Sequence, residues 1–161
     1  SNMSKESELV KKLTNKHYTI TTAESCTGGL LASSIVNVSG ASEVFQAGFV
    51  TYANEAKEKE LGVKSETLQT YGAVSEKTAK EMAIGCAAHA KAQVGISTTG
   101  IAGPGGGTAE KPVGLVYIGC AVRSNVYVEK NVFSGDRQQV RRQAADRAIG
   151  FALECIKKES A

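Results

Sequence analysis

The sequence predicts an α/β fold in which helices cover both faces of a mixed β-sheet. Three observations lead to this prediction. Short β-branched or apolar runs alternate with segments of helical periodicity, two late strands are joined by a short polar turn, and a long helical segment follows them. Strands that alternate with helices favour parallel pairing, whereas a tight hairpin requires an antiparallel pair. The predicted sheet is therefore mixed.

The first part of the chain shows helical and strand patterns in alternation. Residues 4–16 carry apolar side chains at helical spacing, and Tyr18 to Thr22 is a short β-branched run. A glycine-containing turn and a strand followed by a charged segment come next. The predicted elements are a helix over 4–16, a strand over 18–22, a helix over 30–36, a strand over 44–52 and a helix over 54–61.

The second part begins with a long alanine-rich helix for which Ser75 is a good N-cap. A strand over 94–99 leads into a glycine loop over 100–107. Two strands over 113–122 and 126–133 form a hairpin with Ser124-Asn125 as its turn, and Asp136 opens a final helix that reaches about residue 158.

Composition restricts the class of protein. The 161 residues fit one domain, taken as 3–161, with Ser1-Asn2 interpreted as a cloning remnant. A net charge of +3 is too small to indicate nucleic-acid binding. No membrane segment or signal peptide is predicted, and we expect a cytoplasmic protein. Four widely spaced cysteines indicate free thiols rather than a metal or disulfide framework: Cys26, Cys86, Cys120 and Cys155.

A polar cluster from Thr22 to Gly29 follows the first predicted strand. Such a strand–turn–helix junction lies at the carboxyl edge of the sheet, where backbone N–H groups of the helix start face a ligand. Ser25 is placed to attack a carbonyl there, while N–H groups near Cys26, Thr27 and Gly28 hold the oxyanion. A helix-capping role for Ser25 or Thr27 is the competing interpretation, and the turn alone does not decide between them.

A serine nucleophile requires a base. The two histidines, His17 and His89, neighbour no motif and do not support a triad. Tyr52 ends the second strand and Lys57 lies one turn into the next helix, so both converge on the same edge as Ser25. A lysine acts as a base when its neutral form is favoured, with a pKa near about 7–8. The alternating charges around Lys57 fit a solvated helix face equally well.

Two further features indicate an anionic ligand. The glycine loop lets backbone N–H groups approach phosphate oxygens, so we expect Thr99, Gly100, Gly103 and Gly105 to bind substrate, although a flexible connection is the alternative. Arginines at a helix start oppose the helix dipole, which suggests that Arg137 or Arg141 meets a phosphate. A plain surface patch explains the arginines equally well.

Six runs together carry a family resemblance: 22–29, 48–57, 72–75, 99–104, 111–114 and 133–137. The chain resembles the CinA C-terminal domain family, and within it the stand-alone nicotinamide-nucleotide amidases. The likeness extends from the first predicted helix to the last. It implies a three-layer α/β/α sandwich, no metal or other cofactor, and hydrolysis of nicotinamide mononucleotide to nicotinic acid mononucleotide and ammonia in bacterial pyridine-nucleotide recycling.

The resemblance also assigns roles to residues: Ser25 matches the family's nucleophile, Lys57 its basic lysine and Tyr52 its assisting tyrosine. It favours a homo-oligomer that acts on a small molecule, without nucleic acid or a membrane. Cys26 is a rival nucleophile because a thiolate beside a helix start is intrinsically reactive. A non-catalytic nucleotide-binding module is the alternative function.

Overall fold

The computed structural model describes residues 3–160 and contains one five-stranded sheet with helices on both faces. Its helices and strands, in chain order, are α1 Lys5–Lys16, β1 Ile20–Glu24, α2 Leu30–Val36, β2 Phe45–Val50, α3 Asn54–Leu61, α4 Ser65–Tyr71, α5 Glu76–Ala90, β3 Val94–Gly100, β4 Leu115–Val122, β5 Asn125–Val132 and α6 Arg137–Glu159.

The strand order is β2-β1-β3-β4-β5. β1 pairs in parallel with both β2 and β3, whereas β3–β4 and β4–β5 are antiparallel pairs. The mixed sheet predicted from the sequence is confirmed. Because β1, β2 and β3 run the same way, the turns that follow them meet at one edge of the sheet.

Helices form a layer on each side of this sheet, as the three-layer prediction required. α5 packs on β1, β3 and β4 with α3 and α4 beside it, and α6 packs on the opposite face with α1 and α2. The larger apolar core lies under α6, around Ile96, Ile118 and Ile149. A smaller core under α5 includes Leu61 and Met82. None of the helices within residues 3–160 is long and apolar enough to cross a membrane.

Several predicted boundaries are confirmed, and those of the strands are shifted by one or two residues. The helices α2 and α3 have the predicted bounds, and Ser75 and Asp136 cap α5 and α6 through their side chains. β1 is shifted by two residues, because its pairing with β3 begins at Ile20. The hairpin turn is Arg123-Ser124 and not Ser124-Asn125, because Asn125 already pairs with Val122.

Two short elements were not predicted. The helix α4 has seven residues and buries only Thr67 and Leu68, and a 3-10 turn covers Ala41–Glu43. Leu68 is the one aliphatic residue of α4 and the 3-10 turn has three residues, so neither segment shows a helical period in the sequence. The interpretation of Ser1-Asn2 as a cloning remnant concerns residues that lie outside those that the structure describes.

The helix α5 approaches the end of α3 at Gly85. A Cβ atom on Gly85 would lie 1.9 Å from the carbonyl oxygen of Leu61, which is far inside van der Waals contact. Glycine is therefore required here by the close approach of two backbones, although it lies in a helix interior where alanine is normally preferred.

We expect Gly85→Ala to lower the free energy of unfolding by about 1–3 kcal/mol, because the added methyl group forces α3 and α5 apart. Urea denaturation measures this change. Gly105→Ala is the matched control, since a Cβ there meets nothing within 4 Å. A Gly85→Ala protein as stable as the wild type would contradict the close approach.

Candidate active site

The turn between β1 and α2 holds Ser25 at the carboxyl edge of the sheet. Its backbone N–H donates to the carbonyl oxygen of Thr98 at 2.9 Å, which continues the β1–β3 pairing by one residue. The Gly28 N–H then donates to the Ser25 carbonyl oxygen at 3.1 Å. Gly28 and Gly29 both have a positive φ, which glycine adopts readily. Ser25 is thus fixed at a tight turn that glycines make possible.

Lys57 reaches the same turn from the first turn of α3 and is only 1% exposed. Its Nζ atom lies 3.0 Å from Ser25 Oγ, 2.7 Å from the Thr51 carbonyl oxygen and 3.4 Å from that of Tyr52. Within residues 3–160, no carboxylate forms an ion pair with Lys57. The structure therefore brings together the predicted nucleophile and the predicted base.

The surroundings of Lys57 shift it towards its neutral form. Burial lowers the pKa of Lys57 from an ordinary 10.5 to about 8. A neutral amine has two N–H donors and one lone pair. As the ammonium, Lys57 donates to the Ser25 hydroxyl and to the carbonyls of Thr51 and Tyr52. Once neutral, it can keep its two N–H groups on the carbonyls, which accept only, and turn its lone pair to the Ser25 hydroxyl. The arrangement can remove the proton of Ser25.

Glu24 is a fully buried carboxylate directly before the nucleophile. Its oxygens accept hydrogen bonds from the Thr27 hydroxyl at 2.5 Å and from the backbone N–H groups of Gly29, Leu31 and Ala32 at 3.1, 2.9 and 2.9 Å. The helix dipole of α2 also favours a negative charge at this end. Glu24 therefore binds α2 to the end of β1 and consumes N–H groups of the helix start.

A cavity of about 220 Å³ opens over Ser25 and Lys57. Larger grooves of about 650 and 720 Å³ lie elsewhere on the surface and contain neither residue, so chemistry and not size identifies the site. The residues that line the small cavity are Ser25, Cys26, Tyr52, Lys57, Ala73, Val74, Thr99, Gly100, Ala102 and Arg137.

Tyr52 lies at the mouth of this cavity and is 62% exposed. Its hydroxyl accepts a hydrogen bond from Arg137 Nη2 at 2.9 Å and makes none with Ser25 or Lys57. Only the backbone carbonyl of Tyr52 approaches Lys57. The structure thus does not bring the phenol to the proton that a relay would carry, and the expected relay role for the Tyr52 side chain is not supported.

The two predicted arginines have different partners. Arg137 lines the cavity, where its Nη1 donates to the Gly103 carbonyl oxygen at 2.7 Å. Arg141 does not line it: its Nε donates to the carbonyl oxygen of Cys26 at 3.0 Å and its Nη2 to that of Thr27 at 2.9 Å. The expected phosphate contact from Arg141 is therefore not supported, because its guanidinium bonds the turn and lies outside the cavity lining.

Of the predicted substrate-binding residues, some line the cavity and others lie outside it. Thr99 and Gly100 line the cavity, with the Thr99 hydroxyl donating to the Ala73 carbonyl at 2.7 Å. Gly103 holds Arg137 through its carbonyl oxygen, and Gly105 is exposed beyond the cavity. Neither Thr27 nor Gly28 lines the cavity, since Thr27 is buried and Gly28 is exposed outside it. The Thr27 hydroxyl donates to Glu24 and the Gly28 N–H to the Ser25 carbonyl, so both groups shape the turn.

Cys26 lines the cavity but is a poor nucleophile. Burial raises the pKa of its thiol to about 12, so the reactive thiolate is disfavoured near neutral pH. Lys57 forms a hydrogen bond with Ser25 Oγ and, among residues 3–160, forms none with this sulfur. The geometry therefore favours Ser25 over the rival thiol.

Sequence reasoning missed several contributors to the site, among them Ala102 of the cavity wall. Glu24 fixes the turn, Thr51 offers its carbonyl to Lys57, and Ala73 and Val74 form a wall of the cavity. An acidic residue next to the serine was the available sign for Glu24. Thr51, Ala73 and Val74 carried no such sign, since backbone and small apolar contacts depend on the tertiary fold.

Comparison with known proteins identifies the family. The profile of the CinA C-terminal domain matches residues 2–156. The chain belongs to the CinA C-terminal domain family. A Clostridium perfringens protein named for competence-damage induction is 59% identical over 154 residues, which are 96% of this chain and 36% of that protein. A CinA-like protein from Kosmotoga olearia is 56% identical over 94% of this chain and 37% of its own length.

Solved structures of this family have the same fold. The CinA superfamily protein of Escherichia coli has a TM-score of 0.91 at 38% identity, covering 94% of this chain and 88% of that one. The competence/damage inducible protein CihA from Agrobacterium tumefaciens has a TM-score of 0.87 at 40% identity, covering 94% and 96%. This chain spans about a third of the length of the curated relatives it matches.

We expect Glu24→Gln to lower the free energy of unfolding by about 1–3 kcal/mol. The substitution replaces one carboxylate oxygen, which accepts a hydrogen bond, by an amide NH₂, and two donors then face each other in a buried position. Chemical denaturation of wild type and variant measures the difference. Glu58→Gln, on an exposed helix position, is the control and should change stability little. Equal losses in the two variants would argue against the buried capping role.

Proposed function

We propose that this domain hydrolyses a carboxamide, with Ser25 as nucleophile and Lys57 as general base. The observation that carries the proposal is the 3.0 Å separation of Ser25 Oγ and Lys57 Nζ, with the lysine buried and paired with backbone carbonyls. Burial of a lysine without a carboxylate partner costs free energy, which a lysine without a functional role would avoid by remaining in solvent. A buried neutral amine beside a hydroxyl is the arrangement that nucleophilic catalysis needs.

In the proposed reaction, the Ser25 oxygen attacks the carboxamide carbon and its proton passes to the Lys57 lone pair. Backbone N–H groups of the turn stabilise the oxyanion of the tetrahedral intermediate. The C–N bond then breaks as Lys57 returns the proton to the leaving nitrogen, which departs as ammonia. Water, deprotonated by Lys57, hydrolyses the acyl-enzyme and releases the carboxylic acid, which restores the Ser25 hydroxyl and neutral Lys57.

We propose nicotinamide mononucleotide as the substrate and nicotinic acid mononucleotide as the product. The resemblance of the motifs to nicotinamide-nucleotide amidases supports this choice. The cavity walls of Ala73, Val74 and Ala102 suit an uncharged ring that carries a carboxamide. Arg137 at the mouth retains N–H donors for a phosphate outside the cavity. Pyridine-nucleotide recycling in the cytoplasm is the proposed context.

The test is release of ammonia and nicotinic acid mononucleotide from nicotinamide mononucleotide without added metal. We expect turnover by the wild type, and a loss of at least about 1,000-fold in Ser25→Ala and Lys57→Met, because each removes one half of the nucleophile–base pair. Cys26→Ala is the matched control and should stay active. Binding without turnover in the wild type would favour a non-catalytic nucleotide-binding module.

The pH dependence should report Lys57. Because burial lowers the pKa of Lys57 to about 8, the base is protonated and inactive below that pH and becomes neutral above it. We therefore expect kcat/KM to rise tenfold per pH unit below about 8 and to level off above it. Initial rates at limiting substrate from pH 6 to 10 measure the profile. A rate independent of pH across this range would remove Lys57 as the base.

A further inference from the structure

The nucleophile turn is held from two sides by charged groups that do not line the cavity. The Glu24 carboxylate accepts the N–H groups of Gly29, Leu31 and Ala32. The Arg141 guanidinium donates to the carbonyl oxygens of Cys26 and Thr27. One group thus satisfies N–H donors on the helix side and the other satisfies carbonyls of the turn itself.

Arg141 fits this position closely. It projects from the second turn of α6 and is half-buried. A Cβ atom on Gly28 would lie 3.2 Å from Arg141 Nη2, so the absence of a side chain at Gly28 leaves room for the guanidinium. Two hydrogen bonds from one planar guanidinium to successive carbonyls fix the orientation of both peptide groups.

The peptide groups so fixed decide which N–H groups remain for a ligand. In a trans peptide the C=O and N–H bonds point in opposite directions. With the Cys26 carbonyl held by Arg141, the Thr27 N–H points away from the guanidinium. The Gly28 N–H is used by Ser25, and those of Gly29, Leu31 and Ala32 by Glu24.

Two donors of the turn stay free. Between residues 3 and 160, the backbone N–H groups of Cys26 and Thr27 have no acceptor on another residue. Cys26 lines the cavity beside Ser25. The expectation that the Gly28 N–H also donates to the oxyanion is wrong, because this N–H donates to the Ser25 carbonyl oxygen within the turn.

We propose that Glu24 and Arg141 are positioning residues that clamp the nucleophile turn and leave the Cys26 and Thr27 N–H groups to bind the oxyanion. The inference rests on the proposed amidase function and extends it to the parts of the turn that the substrate does not touch. Arg141 acts through the peptide groups of the turn, and the substrate phosphate is left to Arg137 or to solvent.

The kinetic test separates positioning from phosphate binding. Arg141→Met keeps an apolar stem but removes both hydrogen bonds, and Arg141→Lys retains one charged donor. We expect kcat on nicotinamide mononucleotide to fall about 10- to 100-fold in Arg141→Met, with KM within about twofold of wild type and Arg141→Lys between the two. The fall should be the same on nicotinamide riboside, which lacks the phosphate.

Arg142→Ala is the matched control, because Arg142 is the exposed neighbour on α6 and lies outside the cavity. It should leave kcat and KM unchanged, and thermal melting of each variant checks that the fold persists. A rise in KM confined to the phosphorylated substrate would overturn the clamp and make Arg141 a phosphate ligand. An unchanged kcat in Arg141→Met would also overturn the proposal, because Arg141 would then have no effect on catalysis.

An ester probe keeps this test independent of the natural substrate. Acylation of Ser25 by p-nitrophenyl acetate requires the nucleophile and the oxyanion site but no nucleotide. Release of p-nitrophenolate and the intact mass of the protein measure it. A wild type that is acylated but leaves nicotinamide mononucleotide intact would contradict the proposed substrate alone, and slower acylation of Arg141→Met would still support the clamp. Equal acylation rates, or no acylation of Ser25 in the wild type, would overturn it.

Discussion

The burial of the Lys57 amine against two backbone carbonyls is the interaction on which the site depends. An amine removed from water without a carboxylate partner is held more easily as the neutral species. Its lone pair then has one available partner, the Ser25 hydroxyl. A nearby carboxylate would have stabilised the ammonium form and removed the base. Glu24 lies in the same region, yet its hydrogen bonds go to α2 and Thr27.

The sheet topology explains how residues distant in sequence meet at this amine. β1 supplies the nucleophile turn, the segment after β2 supplies the Thr51 and Tyr52 carbonyls, and the end of β3 supplies Thr99 and Gly100. All three strands run in parallel, so these segments lie side by side at one edge. The start of α6 then brings Arg137 to the Gly103 carbonyl and Arg141 to the Cys26 carbonyl.

The parts of the fold that sequence could predict are those recorded in local periodicity and capping. The bounds of α2 and α3 and the caps Ser75 and Asp136 belong to this group. The burial of Lys57 could not be predicted in this way, because the Lys and Glu residues around it alternate as they would on an exposed helix face.

The contacts of the arginines and of Tyr52 show the same limit within the site. Composition at the start of α6 indicated a positive charge near the nucleophile, and that much is found. The direction of each side chain depends on which carbonyls the neighbouring turns present, and only the assembled tertiary structure determines this. Motif resemblance located Ser25 and Lys57, but it carried no information about how Glu24 and Arg141 hold the turn between them.

The close approach of Gly85 to Leu61 has a mechanical consequence for the base. The helix α3 has eight residues, so it is a stiff rod about 12 Å long with Lys57 in its first turn and Leu61 at its end. The backbone of α5 at Gly85 supports the Leu61 end of this helix. The depth of the Lys57 amine below the surface therefore depends partly on a glycine that lies outside the cavity. The basicity of the active site is thereby tied to the spacing of two helices, and changes in that spacing tune it from a distance.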